Sequence, residues 1–356
     1  MNSDHKPRLH PSRRLKEFKE TALYSILPPA ERTSSLYIDT LIAVLPLFLF
    51  SVYHYGFRPI TLALISAVMM MGLDVAVKTV MKKEAHFDLS PAVGGVIAAL
   101  FLPASAPLWL PIVIAVFATA VKAGIDCLPK LKLPFALSLS PVALSLVLSF
   151  LLFPGIMNVI PESGQRLDPF AFSLDSFKAL EACPLDTVLE GFLPDTTSFE
   201  TFFGLHSARI GEISGLLIAV GFIYLLVRRN AKFILPLTFF LTVGVYAYLN
   251  PSLRAASDFI AFDGAVYNVF GSNTFLVAAF LLSQPARTAK TPLGTVICGV
   301  LGGLLTMLLR GRIAVGLTAL IAVILIDLIV PIVDHFIKPT PFGGYIAPKK
   351  ENDSEQ

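Results

Sequence analysis

Three carboxylates stand where carboxylates are expensive. Asp327 lies inside Ile324-Leu325-Ile326-Asp327-Leu328-Ile329-Val330, far from either end of its apolar run; Asp74 lies in a second run, and Glu212 opens a third. A charge at the centre of a bilayer costs at least ~2.5–3.5 kcal/mol on insertion scales, so such groups are candidates for an ion pathway. Their surroundings suit proton uptake; the alternative for each is a helix–helix hydrogen bond or a helix-end charge. A second set of residues could shape a binding site by backbone conformation: Gly94-Gly95 and Gly271-Ser272-Asn273 interrupt two short apolar segments. His54, His86, His206 and His335 pair with no other ligand at metal-binding spacing, and Cys127, Cys183 and Cys298 form no CxxC, so no metal site is expected.

The elements that must position these residues are apolar and numerous. Hydrophobic residues make up 55% of the 356-residue chain and charged residues 15%, with a mean hydropathy of +0.73. A soluble domain carries about a quarter charged residues. About ten spanning segments follow, near 36–56, 58–81, 90–104, 108–125, 133–154, 208–228, 232–249, 264–283, 292–309 and 312–334. The fold class is therefore an all-α polytopic membrane protein. A basic, amphipathic segment (1–35) precedes the spans, an acidic loop (155–207) divides them, and a tail (335–356) follows. The net charge of +3 points to no nucleic-acid partner.

Placing the N-terminus inside puts 21 of the 28 Lys and Arg residues on the cytoplasmic side and 7 outside. Cytoplasmic loops carry this excess, so both termini are expected in the cytoplasm of a cell with the chain in its inner membrane, and the acidic loop outside.

The run Ile97-Ala98-Ala99-Leu100-Phe101-Leu102-Pro103 returns as Val277-Ala278-Ala279-Phe280-Leu281-Leu282 with Pro285 after it. The repeat unit, 36–154 and again 208–334, contains an odd number of helices, so the halves must be inverted. Inverted repeats place a site between them, marked by short, Gly/Pro-interrupted segments at matching positions. Here those are the Gly94-Gly95 and Gly271-Ser272-Asn273 segments.

Several strings, in order, resemble the family uniting the D-type component of Rnf complexes with the B-type component of the sodium-pumping NADH:quinone reductase. They are Thr33 to Pro46, Asp88-Leu89-Ser90 onward to Trp109, Ile210-Gly211-Glu212-Ile213-Ser214, Pro285 to Gly294, and Val330-Pro331-Ile332-Val333-Asp334. The resemblance is closer to the Rnf component. It implies a subunit beside other membrane subunits, in an assembly coupling electron transfer to Na+ or H+ movement, with flavin as cofactor. Family members carry one FMN on a threonine in a motif of the form S-G-A-T-P-L, and a second, noncovalent flavin.

The chain departs from that pattern. Its best match is Ala182-Cys183-Pro184-Leu185, with Cys183 at the threonine position. A phosphoester needs a hydroxyl oxygen, so covalent FMN is not expected here; Thr187 could serve only if the register slips. After the fourth segment, where the family has N-P-A, the chain has Ser140-Pro141-Val142-Ala143. A noncovalent flavin, FMN or riboflavin, is the expected cofactor, near Gly94, Gly95, Gly271, Ser272 and Asn273. No nucleophile or acid–base pair supports an independent enzyme. The alternative reading is a stand-alone inverted-repeat transporter or channel for a small solute or ion.

Overall fold

The computed structural model describes residues 29–82, 88–127, 139–173, 177–179, 184–190, 197–250, 261–284 and 287–337. Among them there is no β-strand, only the isolated bridges Pro161–Ala179 and Arg310–Ile313. Most of the N-terminal segment, Cys183 and the tail from 338 onward lie outside the described residues.

The first half comprises α1 (Pro29–Tyr55), α2 (Arg58–Val80), α3 (Ser90–Leu100), α4 (Trp109–Cys127) and α5 (Pro141–Leu152). The connecting loop carries three short helices, α6 (Pro154–Met157), α7 (Pro184–Leu189) and α8 (Ser198–Phe203). The second half comprises α9 (Gly215–Val227), α10 (Ile234–Leu249), α11 (Ala261–Phe270), α12 (Thr274–Leu282), α13 (Pro292–Leu309) and α14 (Val315–Phe336). From Val277 to Leu282, α12 is wound as a π-helix.

Local chemistry sets several of these boundaries. Ser140, Ser214 and Thr291 each accept a hydrogen bond from the backbone N–H three residues on, at 3.1, 3.4 and 3.2 Å. Proline in the first turn, as in α2, α3, α5 and α13, removes a donor that the helix would leave unpaired. Pro46 and Pro331 sit inside α1 and α14, a placement that membrane helices tolerate.

Among the described residues, five helices are long and apolar enough to cross a bilayer alone: α1 from Ser35, α2, α4, α13 and α14. The pair α11–α12 passes the same test jointly but bends by 61° at its break. Helices α3, α5, α9 and α10 are apolar but shorter. The protein is thus an all-helical, polytopic membrane protein with short and broken segments. The sixth segment departs from the expected helix at 208–228. Residues 208–214 are buried turn, and helix begins only at Gly215, because the Ser214 side chain caps it.

Some helix pairings in the first half have counterparts in the second. Helix α2 packs on α3 and α4 as α10 packs on α11, α12 and α13; α4 meets α5 as α13 meets α14. The helices α1 and α9 pack on each other, as do α5 and α14, joining the first half to the second. Close approach is needed at α10–α13: a Cβ on Gly303 would lie 2.7 Å from Thr242 Cβ and 2.9 Å from the Phe239 carbonyl. The centre of the molecule is Ile97–Leu102 and Leu276–Leu282, buried throughout.

Candidate functional site

The structure separates the sequence candidates into two cavities, at opposite ends of the short central helices. One lies on the side rich in basic residues and the other on the side of the long loop.

The basic-side cavity has a volume of 440 Å³. Its walls are mostly apolar: Tyr37, Met70, Val93, Ile97, Val142 and Leu281. Asp74, Lys122, Asn230, Gln284 and Arg287 supply polar groups, and the N-terminal residues Ser90-Pro91 of α3 and Ser140-Pro141 of α5 line it. Gly94 faces this cavity, where a Cβ would lie 3.3 Å from Val142 Cγ2. Gly95 points away from it and packs on α2, 2.6 Å from the Ser66 carbonyl measured from the same hypothetical atom.

Asp74 is ion-paired twice here. Its Oδ1 lies 2.7 Å from Lys122 Nζ and its Oδ2 lies 2.9 Å from Lys78 Nζ. Lys78 also reaches Asp88 at 2.8 Å. Asp327, 2% exposed, reaches from the middle of α14 to the start of α5, where its Oδ2 accepts the Ser140 N–H at 2.8 Å. Arg287 Nη1 lies 3.8 Å from the same oxygen. Both that nitrogen and Asp327 Oδ1 are buried without a hydrogen-bond partner. The carboxylate is therefore neutralised by a guanidinium and by the positive end of a helix, while each ionic partner keeps one unsatisfied atom.

The loop-side cavity is smaller, 270 Å³, and more polar. Gly271 and Ser272 line it, together with Asn158, Asp186, His206, Arg209, Glu212 and the N-terminal residues Ala314-Val315-Gly316 of α14. Glu212 and Arg209 are a buried pair: Arg209 Nη1 donates to Oε2 at 3.1 Å and to Oε1 at 3.4 Å. Arg209 also donates from Nε to the Met157 carbonyl at 3.3 Å and sits over the Phe150 ring at 5.2 Å. Asn273 is buried behind the cavity, and its Nδ2 donates to the Gly316 carbonyl.

One residue, Arg310, bonds to both sides of the break between α11 and α12. Arg310, 4% exposed, donates from Nη1 to Asn268 O and Oδ1 and from Nη2 to Ser272 Oγ and Thr274 Oγ1. Close by, His206 is 3% exposed, and burial, reinforced by repulsion from His54, pushes its imidazole down to about 4.

Of the sequence candidates, then, Gly94 and Asp74 meet at one cavity and Gly271, Ser272 and Glu212 at the other; they do not form one site. Asp327 lies beside the first cavity through Arg287 and Ser140. Of Thr187 the structure describes the backbone, within α7, and Cys183 lies outside the described residues. The partners Arg209, Arg287, Ser140 and Arg310 were not singled out by spacing. Arg287 had one visible signal, a lone cation just after a broken apolar segment.

The course of the chain links the cavities. Helix α3 starts at the basic-side cavity, and its last residue Leu100 and the following Leu102 accept backbone hydrogen bonds from Gly211 and Ile210 at 2.7 and 3.1 Å, behind the loop-side cavity. The α11–α12 break starts at the loop-side cavity and α12 ends with Leu281 on the other. Helices α3 and α12 therefore run in opposite directions.

Comparison with known proteins agrees with this architecture. The model of the NQR2, RnfD, RnfE family matches residues 26–128 and 132–343. The D-type component of the Na(+)-translocating ferredoxin:NAD(+) oxidoreductase complex of Acetobacterium woodii is 26% identical over 319 residues, covering 87% of this chain and 91% of that one. The D-type component of the ion-translocating oxidoreductase complex of Pectobacterium carotovorum is 22% identical, covering 88% of this chain and 95% of its own length. Its counterpart in Halorhodospira halophila is 24% identical over 330 residues, covering 86% and 90%. With its broken central helices and a match over most of its length, the chain belongs to the NQR2, RnfD, RnfE family.

Proposed function

We propose that this chain is a membrane subunit, of the D type, in an Rnf-like ion-translocating electron transport complex, and that its basic-side cavity holds a noncovalent flavin, FMN or riboflavin. The lining of that cavity carries the flavin reading. Ligand pockets of about 300–1,000 Å³ with apolar walls and few polar groups suit a flat heterocycle, and 440 Å³ walled by Tyr37, Met70, Ile97, Val142 and Leu281 falls in that class. The orphaned Nη1 of Arg287 and the side chain of Gln284 supply polar groups at one end. The residues present therefore fit the group. A bound flavin would supply electron transfer; the chain's own part is to hold the ring, exclude water from its faces and offer donors at its polar edge.

The orientation adopted is the one favoured by the basic residues, with the basic-side cavity, the segment 1–35 and the tail 335–356 in the cytoplasm, and the loop 155–207 outside the cell membrane. The stretches 36–154 and 208–334 are read as the inverted repeats. The partners are the other membrane subunits of the complex and the lipid bilayer. Asp74 and Glu212 then stand at opposite faces as candidates for Na+ or H+ handling, with Asp327 nearer the centre. Asp74 and Glu212 are ion-paired, so uptake of a cation there must displace Lys122 and Lys78 or Arg209.

The test is a visible spectrum of the full chain purified in mild detergent with flavin present, recorded before and after acid precipitation. Yellow absorbance released to the supernatant supports the reading. Yellow retained in the pellet means covalent attachment and overturns the expectation drawn from Cys183. A colourless protein moves the reading to the transporter alternative, in which the two cavities are the two mouths of one path.

A further inference from the structure

We propose that the loop-side helix α8 and the Phe170–Phe172 turn lie in the lipid interface of the leaflet on that side, as an aromatic anchor for the loop-side cavity. The sequence presents the loop 155–207 as polar, yet four of its phenylalanines are turned outward. Phe199 is 76% exposed and Phe170 is 81% exposed, and Phe203 and Phe172 are exposed beside them. Phe199 and Phe203 stack, with centroids 6.4 Å apart and planes within 9°. They share the outer face of α8, and Leu205 continues the patch.

Continuity with the lipid-facing surface identifies the occupant. On α1 the exposed residues Ile38, Ile42, Leu45, Leu49 and Tyr53 recur at three- or four-residue spacing, which makes one apolar stripe along the helix. That stripe ends at Tyr53, beside α8. Gly204, with φ +94°, closes α8 against α1: a Cβ there would lie 2.7 Å from Phe50 Cε1 and 2.8 Å from the Ile213 carbonyl. On α2 the exposed stripe begins at Phe57 and Ile60, and Thr61 Oγ1 donates to the Pro169 carbonyl at 3.0 Å, holding the Phe170 turn over the same level. The exposed aromatics thus sit where two lipid-facing stripes end on the loop side. A helix with Phe and Leu on one face and polar residues on the other lies in the interface plane.

The arrangement bears on function because α8 is joined to the cavity wall. Ser214 Oγ donates to the Phe203 carbonyl at 3.2 Å, and Gly204 abuts Ile213 and Ser214, directly after Glu212. Lipid contact at Phe199 and Phe203 therefore fixes the height of the segment that carries His206, Arg209 and Glu212.

The experiment uses the full chain reconstituted in phosphatidylcholine nanodiscs. Trp109 is the one tryptophan in the sequence. In a Trp109→Phe background, Phe199→Trp and Phe170→Trp each place a probe in the patch. Both are expected to lose most of their emission with lipids brominated near the headgroup, less with lipids brominated near the chain end, and little with aqueous iodide. Quenching by iodide without quenching by brominated lipid would overturn the proposal in favour of a solvated loop. Protection from both would overturn it in favour of a protein-covered surface. Independently of any variant, the wild-type chain labelled with a membrane-partitioning diazirine should carry label in the peptide containing Phe199 and Phe203; label confined to the long helices would also overturn it.

Discussion

Asp327 accepts the backbone N–H of Ser140 at 2.8 Å across a sequence separation of 187 residues. The bond ties the centre of α14 to the first turn of α5, at the interface where the two halves meet. Arg287, from the turn after α12, stands 3.8 Å from the same oxygen. Three elements therefore converge on one carboxylate at the edge of the basic-side cavity.

Removing that carboxylate alone should be costly, because Arg287 would be left buried and uncompensated. Asp327→Leu is expected to destabilise the protein by about 3–5 kcal/mol, whereas the double variant Asp327→Leu/Arg287→Met should recover most of the loss. Thermal unfolding in detergent, compared across the wild type, the two single variants and the double variant, checks this. Simple additivity of the two single effects would show that the pair is not coupled.

On the loop side the equivalent test acts through space rather than charge. Gly316 opens α14 directly against the ion pair: a Cβ there would lie 2.8 Å from Arg209 Nη2 and 2.8 Å from Phe150 Cζ. Gly316→Ala should therefore push Arg209 off Glu212 and cost about 1–3 kcal/mol. The same substitution at Gly311, where no atom lies within 4 Å but φ is +80°, should cost about 1–2 kcal/mol by strain alone and leave Arg209 in place. A Gly316→Ala chain as stable as the wild type would mean that Arg209 yields at no cost and that its contact carries no special weight.

The contrast between these sites explains what was legible beforehand. A carboxylate inside an apolar run stands out at once, so Asp327 and Asp74 were visible as residues. Lys78, four residues after Asp74 on the same helix, was within reach of local spacing, but Ser140, Arg287 and Lys122 come from other elements, and no local spacing encodes which elements meet. The break at Gly271-Ser272-Asn273 was legible from Gly and polar residues in a short apolar segment, whereas Gly94-Gly95 interrupts nothing: it lies inside the unbroken helix α3, where Gly95 allows close packing on α2. The assignment of these two segments to one site was not legible, since no local spacing says at which end of the molecule each segment lies. The stretch 208–214 carries Arg209, Glu212 and Ser214 and is not itself apolar; hydropathy averaged over a window extends the helix into it from the apolar run that begins at Gly215.

Acidity should loosen the loop side first. His206 is pushed down to about 4 by burial and by His54, against an ordinary value of 6.5. The folded chain thus binds this proton less readily than the unfolded chain. The contribution to stability is fully present above about pH 6.5 and is lost as pH falls toward 4, amounting to about 3 kcal/mol at most by the linkage between pKa and free energy. Unfolding temperatures measured between pH 7 and pH 4 should fall in the wild type and fall less in His206→Gln. Parallel curves would remove His206 from the explanation.

Arg310 offers the sharpest substitution, because charge and shape can be separated there. Its guanidinium reaches four oxygens on both sides of the α11–α12 break, at Asn268, Ser272 and Thr274. Lysine keeps the charge but is a compact ammonium on a flexible stem, so it cannot span the same acceptors in one plane. Arg310→Lys should leave buried acceptors unpaired on one side of the break and cost about 2–4 kcal/mol. The loss should be accompanied by faster amide hydrogen exchange over 268–276, the segment that the guanidinium pins, with α13 itself unchanged. A destabilised variant whose exchange rises evenly over the whole chain would instead mean that Arg310 contributes general packing and does not hold the break.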